Sequence, residues 1–300
     1  MDKRNGTKRN GDQASGLRGL MRARPVKVVA ITGGKGGVGK TNVAANLGVA
    51  LAKLGRDTML LDADLGLANA DVLLGIRAER NLEHVLAGEC ALEEVVVTAP
   101  SGLRVVPGSS GNLALATLGT PQHAGLIHAF SELFEPLDVL LIDTAPGLSD
   151  GVVTYCGAAH RVLVVVCDEP ASLTDAYGLI KVVSRLAPGC RFEVVANMVE
   201  GAAHGRALFD KLDRACQRFL NLSPAYGGSV PADDYLRRAV QKQAAVLEAY
   251  PASPSARAFR ALAGAIDAWP EPQTARGGIE FFLERQLRAE GAARREAPLQ

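Results

Sequence analysis

Residues 33–41 read Gly33-Gly34-Lys35-Gly36-Gly37-Val38-Gly39-Lys40-Thr41, and the fold turns on this stretch. Gly34, four residues, then Gly39, Lys40 and Thr41 is the spacing of a phosphate-binding P-loop. Glycines allow the backbone to bend until consecutive N–H groups converge on one phosphate chain. Lys40 then reaches the β- and γ-phosphates, and the Thr41 hydroxyl is placed to ligate Mg²⁺. The flanks agree. Val26 to Thr32 is a β-branched apolar run, and Asn42 to Leu54 has helical periodicity closed by Gly55. Strand, loop and helix N-terminus is the geometry that binds anions, so a nucleoside triphosphate is the expected ligand, with Gly34 to Asn42 as its cradle.

Outward from this loop, apolar runs alternate with helical stretches. The runs are Val26–Thr32, Thr58–Asp62, Leu103–Val106, Val139–Asp143, Val162–Cys167 and Phe192–Asn197, with a weaker one near Gly228–Val230. Such alternation implies right-handed crossovers and an α/β fold, a mostly parallel twisted sheet with helices on both faces. Ligands of such sheets sit at the carboxyl ends of strands, where the polar motifs of this chain also fall. Residues 1–25 are polar and basic and read as a flexible extension. The globular part is expected over 26–270, ending near Pro270 and Pro272, with a charged tail over 271–300.

Composition excludes several classes. A formal charge of +1 gives no global argument for nucleic acid, and none is expected as a direct partner. The five cysteines (Cys90, Cys156, Cys167, Cys190, Cys216) include no Cys-x-x-Cys pair, which argues for reduced bystander thiols. Cys156 and His160 lack further ligands nearby to complete a metal site. His84, His123, His128 and His204 lack a Ser or Cys partner pattern and read as surface or structural residues. No apolar stretch approaches bilayer length and no secretory segment opens the chain, so a cytoplasmic protein is expected.

Two further strand ends carry carboxylates. Leu60-Leu61-Asp62-Ala63-Asp64 ends the second strand, where an acid near the γ-phosphate can orient water or hold a Mg²⁺-bound water. Val139-Leu140-Leu141-Ile142-Asp143 has the Walker-B form that holds Mg²⁺ through water. Thr41, Asp62 and Asp143 are therefore the expected metal set. Asn197 ends another strand, where its amide can donate to and accept from an adenine edge, or merely close a turn. The Asn-Lys-x-Asp run of GTPases is absent, which favours ATP.

Lys35 adds family information. A second cation so close to Lys40 would crowd the same phosphates. Lys35-Gly36-Gly37-Val38-Gly39-Lys40-Thr41 resembles the deviant P-loop of the MinD/ParA ATPases. The resemblance implies that Lys35 crosses a dimer interface to the partner's nucleotide, that Asp64 positions the attacking water, and that Thr144-Ala145-Pro146-Gly147-Leu148 is the second switch. It also implies that the loop Ser229-Val230-Pro231-Ala232-Asp233 packs on the base, with Pro231 and Asp233 in the site. Lys35, Lys40 and Asp64 thus form the expected catalytic set of a Mg²⁺-dependent ATPase. Iron–sulfur relatives would need cysteines shortly after the second switch or a Cys-x-x-Cys pair, and neither is present.

Asp12-Gln13-Ala14-Ser15-Gly16-Leu17-Arg18 resembles the Asp-Gln-Ala-x-x-Leu-Arg signature of the FlhG/FleN family. Asn69–Gly75, Val105–Gly111 and Val230–Gln243 also resemble segments of that family, in the same order. The resemblance implies control of flagellar number and placement, restraint of a FleQ-type transcription activator, and stimulation of a FlhF-type GTPase through Asp12, Gln13, Leu17 and Arg18. Gly16 costs a helix there about 1 kcal/mol relative to Ala, so the segment should fold only on its partner. A division-site or partition ATPase of the MinD/ParA family, or a non-catalytic ATP-gated adaptor, are the rival readings. Ile279, Phe282, Leu283 and Leu287 share a face at helical spacing. Either this is an amphipathic helix that takes the ATP-bound homodimer to an anionic membrane surface at the cell pole, or it packs on its own domain.

Overall fold

Uninterrupted Val, Leu and Ile runs make the inner strands of one eight-stranded sheet. The computed structural model describes residues 25–111, 118–131, 133, 136–272 and 281–282. The strands are β1 (Lys27–Thr32), β2 (Thr58–Ala63), β3 (Val97–Thr98), β4 (Arg104–Val106), β5 (Val139–Thr144), β6 (Arg161–Val166), β7 (Arg191–Val199) and β8 (Ala225–Pro231). Their spatial order is β3-β4-β2-β5-β1-β6-β7-β8. Every neighbouring pair is parallel except β3 with β4. All seven expected runs are strands, and β8 begins three residues before the weak run near Gly228. The two-residue edge strand β3 is an addition to the sequence reading.

Side chains of successive strand residues point to opposite faces, and both faces are buried. Val28 and Ala30 of β1, Leu140 and Ile142 of β5, and Val162 and Val164 of β6 join one core. That core is covered by the helices Thr120–Ser131, Asp150–Ala158, Pro170–Leu186 and Ala202–Leu220. Val29, Ile31, Val139, Leu141, Leu163 and Val165 join the other, under the helices Lys40–Lys53 and Pro254–Asp267. Double coverage explains why these strands read as continuous apolar runs rather than alternating ones.

The chain leaves β1 for β2 on one side and later takes β6 on the other. That reversal opens a crevice at the carboxyl end of β1, where the P-loop follows. Register then sets the carboxylates. Asp62 of β2 pairs with Asp143 of β5, and Asp143 pairs with Ile31 of β1. Among the described residues no helix is long and apolar enough to cross a membrane.

Candidate nucleotide site

Gly39 caps the helix Lys40–Lys53 in a left-handed conformation, φ 88°, which only glycine adopts without strain. A side chain there would also strike the Asn197 amide, 2.3 Å from the ideal Cβ position. Gly34 has a second reason to be glycine, since a Cβ would lie 2.3–2.5 Å from the backbone and Cβ of Asp175. The P-loop is thus clamped between β7 and the first turns of the helix Pro170–Leu186.

Lys40 is only 7% exposed. Burial pulls its pKa down, and Asp143 and Asp64 oppose that shift. Asp143 is wholly buried, and neither carboxylate oxygen has a hydrogen-bond partner of good geometry. Its pKa is pushed well up, first by burial and next by the neighbouring Asp62, against the pull of Thr41 and Lys40. Asp62 is pushed up to about 6 by burial, opposed by the N–H groups it accepts from and reinforced by Asp64. Two adjacent buried acids, of which Asp143 faces the buried lysine, carry more negative charge than such a site tolerates. The unpartnered oxygens of Asp143, beside the Thr41 hydroxyl, fit a divalent cation held directly or through water.

Asp62 has a further duty that its sequence context does not show. Its Oδ2 accepts the N–H groups of Asn69 and Ala70, both at 2.9 Å, and its Oδ1 that of Asp64 at 3.3 Å. It therefore fastens the loop that carries Asp64. The segment Pro107–Gly111 backs the same loop, through a Leu67–Ser110 bridge and a 3.1 Å bond from the Gly111 N–H to the Gly66 carbonyl. The second switch is tied down as well: the Gly147 N–H donates to the Gly33 carbonyl at 3.2 Å.

Three expected contacts are directed elsewhere. Lys35 is ion-paired with Glu169 of its own chain, at the start of the helix Pro170–Leu186. Glu169 escaped the sequence reading, although an acid one turn past β6 on the site's edge is a usable signal. Asn197 donates its amide N–H to the Val38 carbonyl at 2.9 Å, and its Oδ1 is buried without a partner. That amide N–H supports the P-loop from beneath, a tie that neither the adenine-edge nor the turn reading anticipates. Asp233 accepts from the Tyr235 N–H (2.9 Å) and from the Ser255 N–H and hydroxyl (2.9 and 2.6 Å). Its carboxylate caps two helix starts, Asp234–Gln241 and Pro254–Asp267, rather than facing a nucleotide. Pro231 closes β8 beside Val199. Asp12, Gln13, Leu17 and Arg18 lie outside the described residues, as do Ile279, Leu283 and Leu287. At Phe282 the backbone is left-handed, φ 56°, so the expected helix does not run through that residue.

Comparison with known proteins agrees with this geometry. Residues 25–267 match a ParA family model described as NUBPL iron-transfer P-loop NTPase. The chain is 54% identical to Antiactivator FleN of Pseudomonas aeruginosa, over 87% of this chain and 93% of that protein. It is 30% identical to the flagellum site-determining protein YlxH of Helicobacter pylori, over 87% and 90% of the two chains. The septum site-determining protein MinD of Pyrococcus horikoshii, solved with Mg-ADP, superposes with a TM-score of 0.67 at 26% identity, covering 81% of this chain and 96% of that one. A buried P-loop lysine, an unpaired Walker-B aspartate and a fastened loop carrying Asp64, together with these likenesses, make the chain a member of the FlhG/FleN-type MinD/ParA ATPases.

Proposed function

We propose that the protein is an ATP-driven monomer–dimer switch that sets the number and placement of flagella. The observation that carries this reading is its 54% identity to an antiactivator over 87% of the chain. A division-site role has weaker support, since likeness to the archaeal MinD stands at 26%.

In the proposed cycle the N–H groups of the P-loop and the Lys40 ammonium hold the phosphates. Thr41 and Asp143, with Asp62 behind them, would hold Mg²⁺, which would supply charge neutralisation to the phosphates. Asp64 orients the attacking water. Gly147 leaves the Gly33 carbonyl to meet the γ-phosphate, and Lys35 leaves Glu169 to reach the partner's nucleotide across the dimer. Hydrolysis removes the ligand of both switches and the dimer parts.

The output is restraint of a FleQ-type activator and stimulation of a FlhF-type GTPase by Asp12, Gln13, Leu17 and Arg18. Burial of Phe281 and Phe282 supports packing of that point of the chain on its own domain, and the ATP form frees the tail for an anionic membrane surface at the pole. Deleting the gene and counting flagella per cell tests the reading. Extra flagella, corrected by the parent but not by Lys40→Ala, are expected; an unchanged count overturns it. Removal of residues 1–24 should abolish FlhF stimulation while leaving ATP binding intact, and a truncated protein that still stimulates fully removes that segment's role.

A further inference from the structure

The loop that carries Asp64 is held from two sides. On one side stands the Asp62 carboxylate, and on the other the segment Pro107–Gly111, which continues β4. That strand runs parallel to β2, with Val105 beside Leu60 and Val106 beside Leu61. Its continuation therefore passes the end of β2 just where the Asp64 loop begins. The approach is close. A Cβ added to Gly108 would stand 2.7 Å from both the Asp62 carbonyl oxygen and the Ala68 Cβ, so the segment lies against the loop only because a glycine is there. Further out, the Leu67–Ser110 bridge and the Gly111–Gly66 bond join the two segments. Leu67 in turn donates its N–H to the Asp64 carbonyl at 3.1 Å.

This wall is itself anchored. The Pro107 carbonyl accepts the Leu82 N–H at 3.1 Å, and the Ser109 hydroxyl donates to Glu83 Oε2 at 2.9 Å. Both partners start the helix Leu82–Leu86, where the Asn81 side chain accepts the Glu83 N–H at 2.9 Å. Leu82 is buried in the core and Ser109 is 1% exposed. A buried hydroxyl bonded to a carboxylate holds its backbone in one place more firmly than a neutral pair does. Contacts thus run from Glu83 through Ser109 and Ser110 to Leu67 and Asp64, and none of these bonds involves a P-loop residue.

We infer that Ser109 is a positioning residue for hydrolysis: its bond to Glu83 fixes the wall against which Asp64 is set, and it takes no part in holding ATP. The inference rests on the proposed role of Asp64 in orienting water, and deepens it.

Turnover of the full-length protein with ATP and Mg²⁺, counted per bound nucleotide so that unfolded chains do not register, tests it. Ser109→Ala and Glu83→Ala remove the same bond from its two ends. Each should lower kcat about tenfold and leave KM and the affinity for a labelled ATP analogue close to the parent's. Glu83→Gln keeps an oxygen that accepts from the Ser109 hydroxyl and should recover most of the parent's kcat. Because the effect runs through Asp64, adding Ser109→Ala to Asp64→Ala should cost nothing further in single-turnover rate. Slowed hydrolysis should also lengthen the life of the ATP-bound dimer in light scattering. A packing role alone would lower Tm and leave kcat per bound nucleotide at the parent's value, and that result overturns the inference. So does a kcat lost together with ATP affinity, a Ser109→Ala protein that stays at monomer mass with ATP, or a further loss in the double variant. The Asp64 reading fails separately. Asp64→Ala with parental turnover overturns that reading and this inference with it, whereas a slow Asp64→Ala beside a parental Ser109→Ala overturns the role of Ser109 alone.

Discussion

Lys40 and Asp143 form the charge core of the site, and each is buried for the other's sake. Lys40→Ala leaves no cation for the β- and γ-phosphates and adds an uncompensated acid pair. ATP binding should be lost in an equilibrium titration with a labelled analogue, and retained affinity would refute the P-loop assignment. Asn197 gives a sharper test because two roles predict different results. Removing the Asn197–Val38 bond should cost about 1–2 kcal/mol of stability and loosen the P-loop for every base. Asn197→Ala should then weaken ATP and GTP alike, whereas loss confined to ATP would return the residue to base recognition. The motif spacing made Lys40, Thr41 and Asp143 legible. The fastening by Asp62 and the Val38–Asn197 tie were not, because both depend on which backbone N–H folds back over a strand end.

The strands were legible for a physical reason: inner strands buried on both faces cannot be polar at either parity, so they stand out as apolar runs. β3 was not, since two residues on an edge need no apolar pattern. Asp233 shows the same limit in a loop. It resembles part of a base-binding segment in sequence, yet its oxygens accept from Tyr235 and from Ser255, 22 residues further along the chain. Asp233→Ala should therefore destabilise the fold by about 1–2 kcal/mol in urea unfolding while leaving nucleotide affinity nearly unchanged. At the amino ends of the strands, just before β2, Arg56 holds Asp267 through two bonds of 2.6 and 2.9 Å, which keeps the Asp267 carboxyl below its usual range. A depressed acid stabilises the fold above its unfolded pKa, about 4, and that share is lost as pH falls through the folded value. Arg56→Met should thus be less stable at neutral pH by about 0.5–1 kcal/mol, this being a partly exposed pair. The gap between variant and parent should close as pH falls through the folded value; a gap that persists once the carboxyl is protonated in both states would mean that Arg56 acts through packing.

Across the whole molecule, both switches and Lys35 are held by the chain's own groups: Asp62 on the first loop, Gly33 on the second, Glu169 on the lysine. In the proposed cycle ATP replaces these ties with its phosphates before a second protomer joins. Light scattering of the full-length protein with ATP and Mg²⁺ measures that step directly. Asp64→Ala should bind ATP and accumulate as a dimer because only the orientation of water is lost. Lys35→Ala should bind ATP and remain at monomer mass. A Lys35→Ala protein that dimerises like the parent, or an ATP-loaded Asp64→Ala protein that stays monomeric, would contradict the switch.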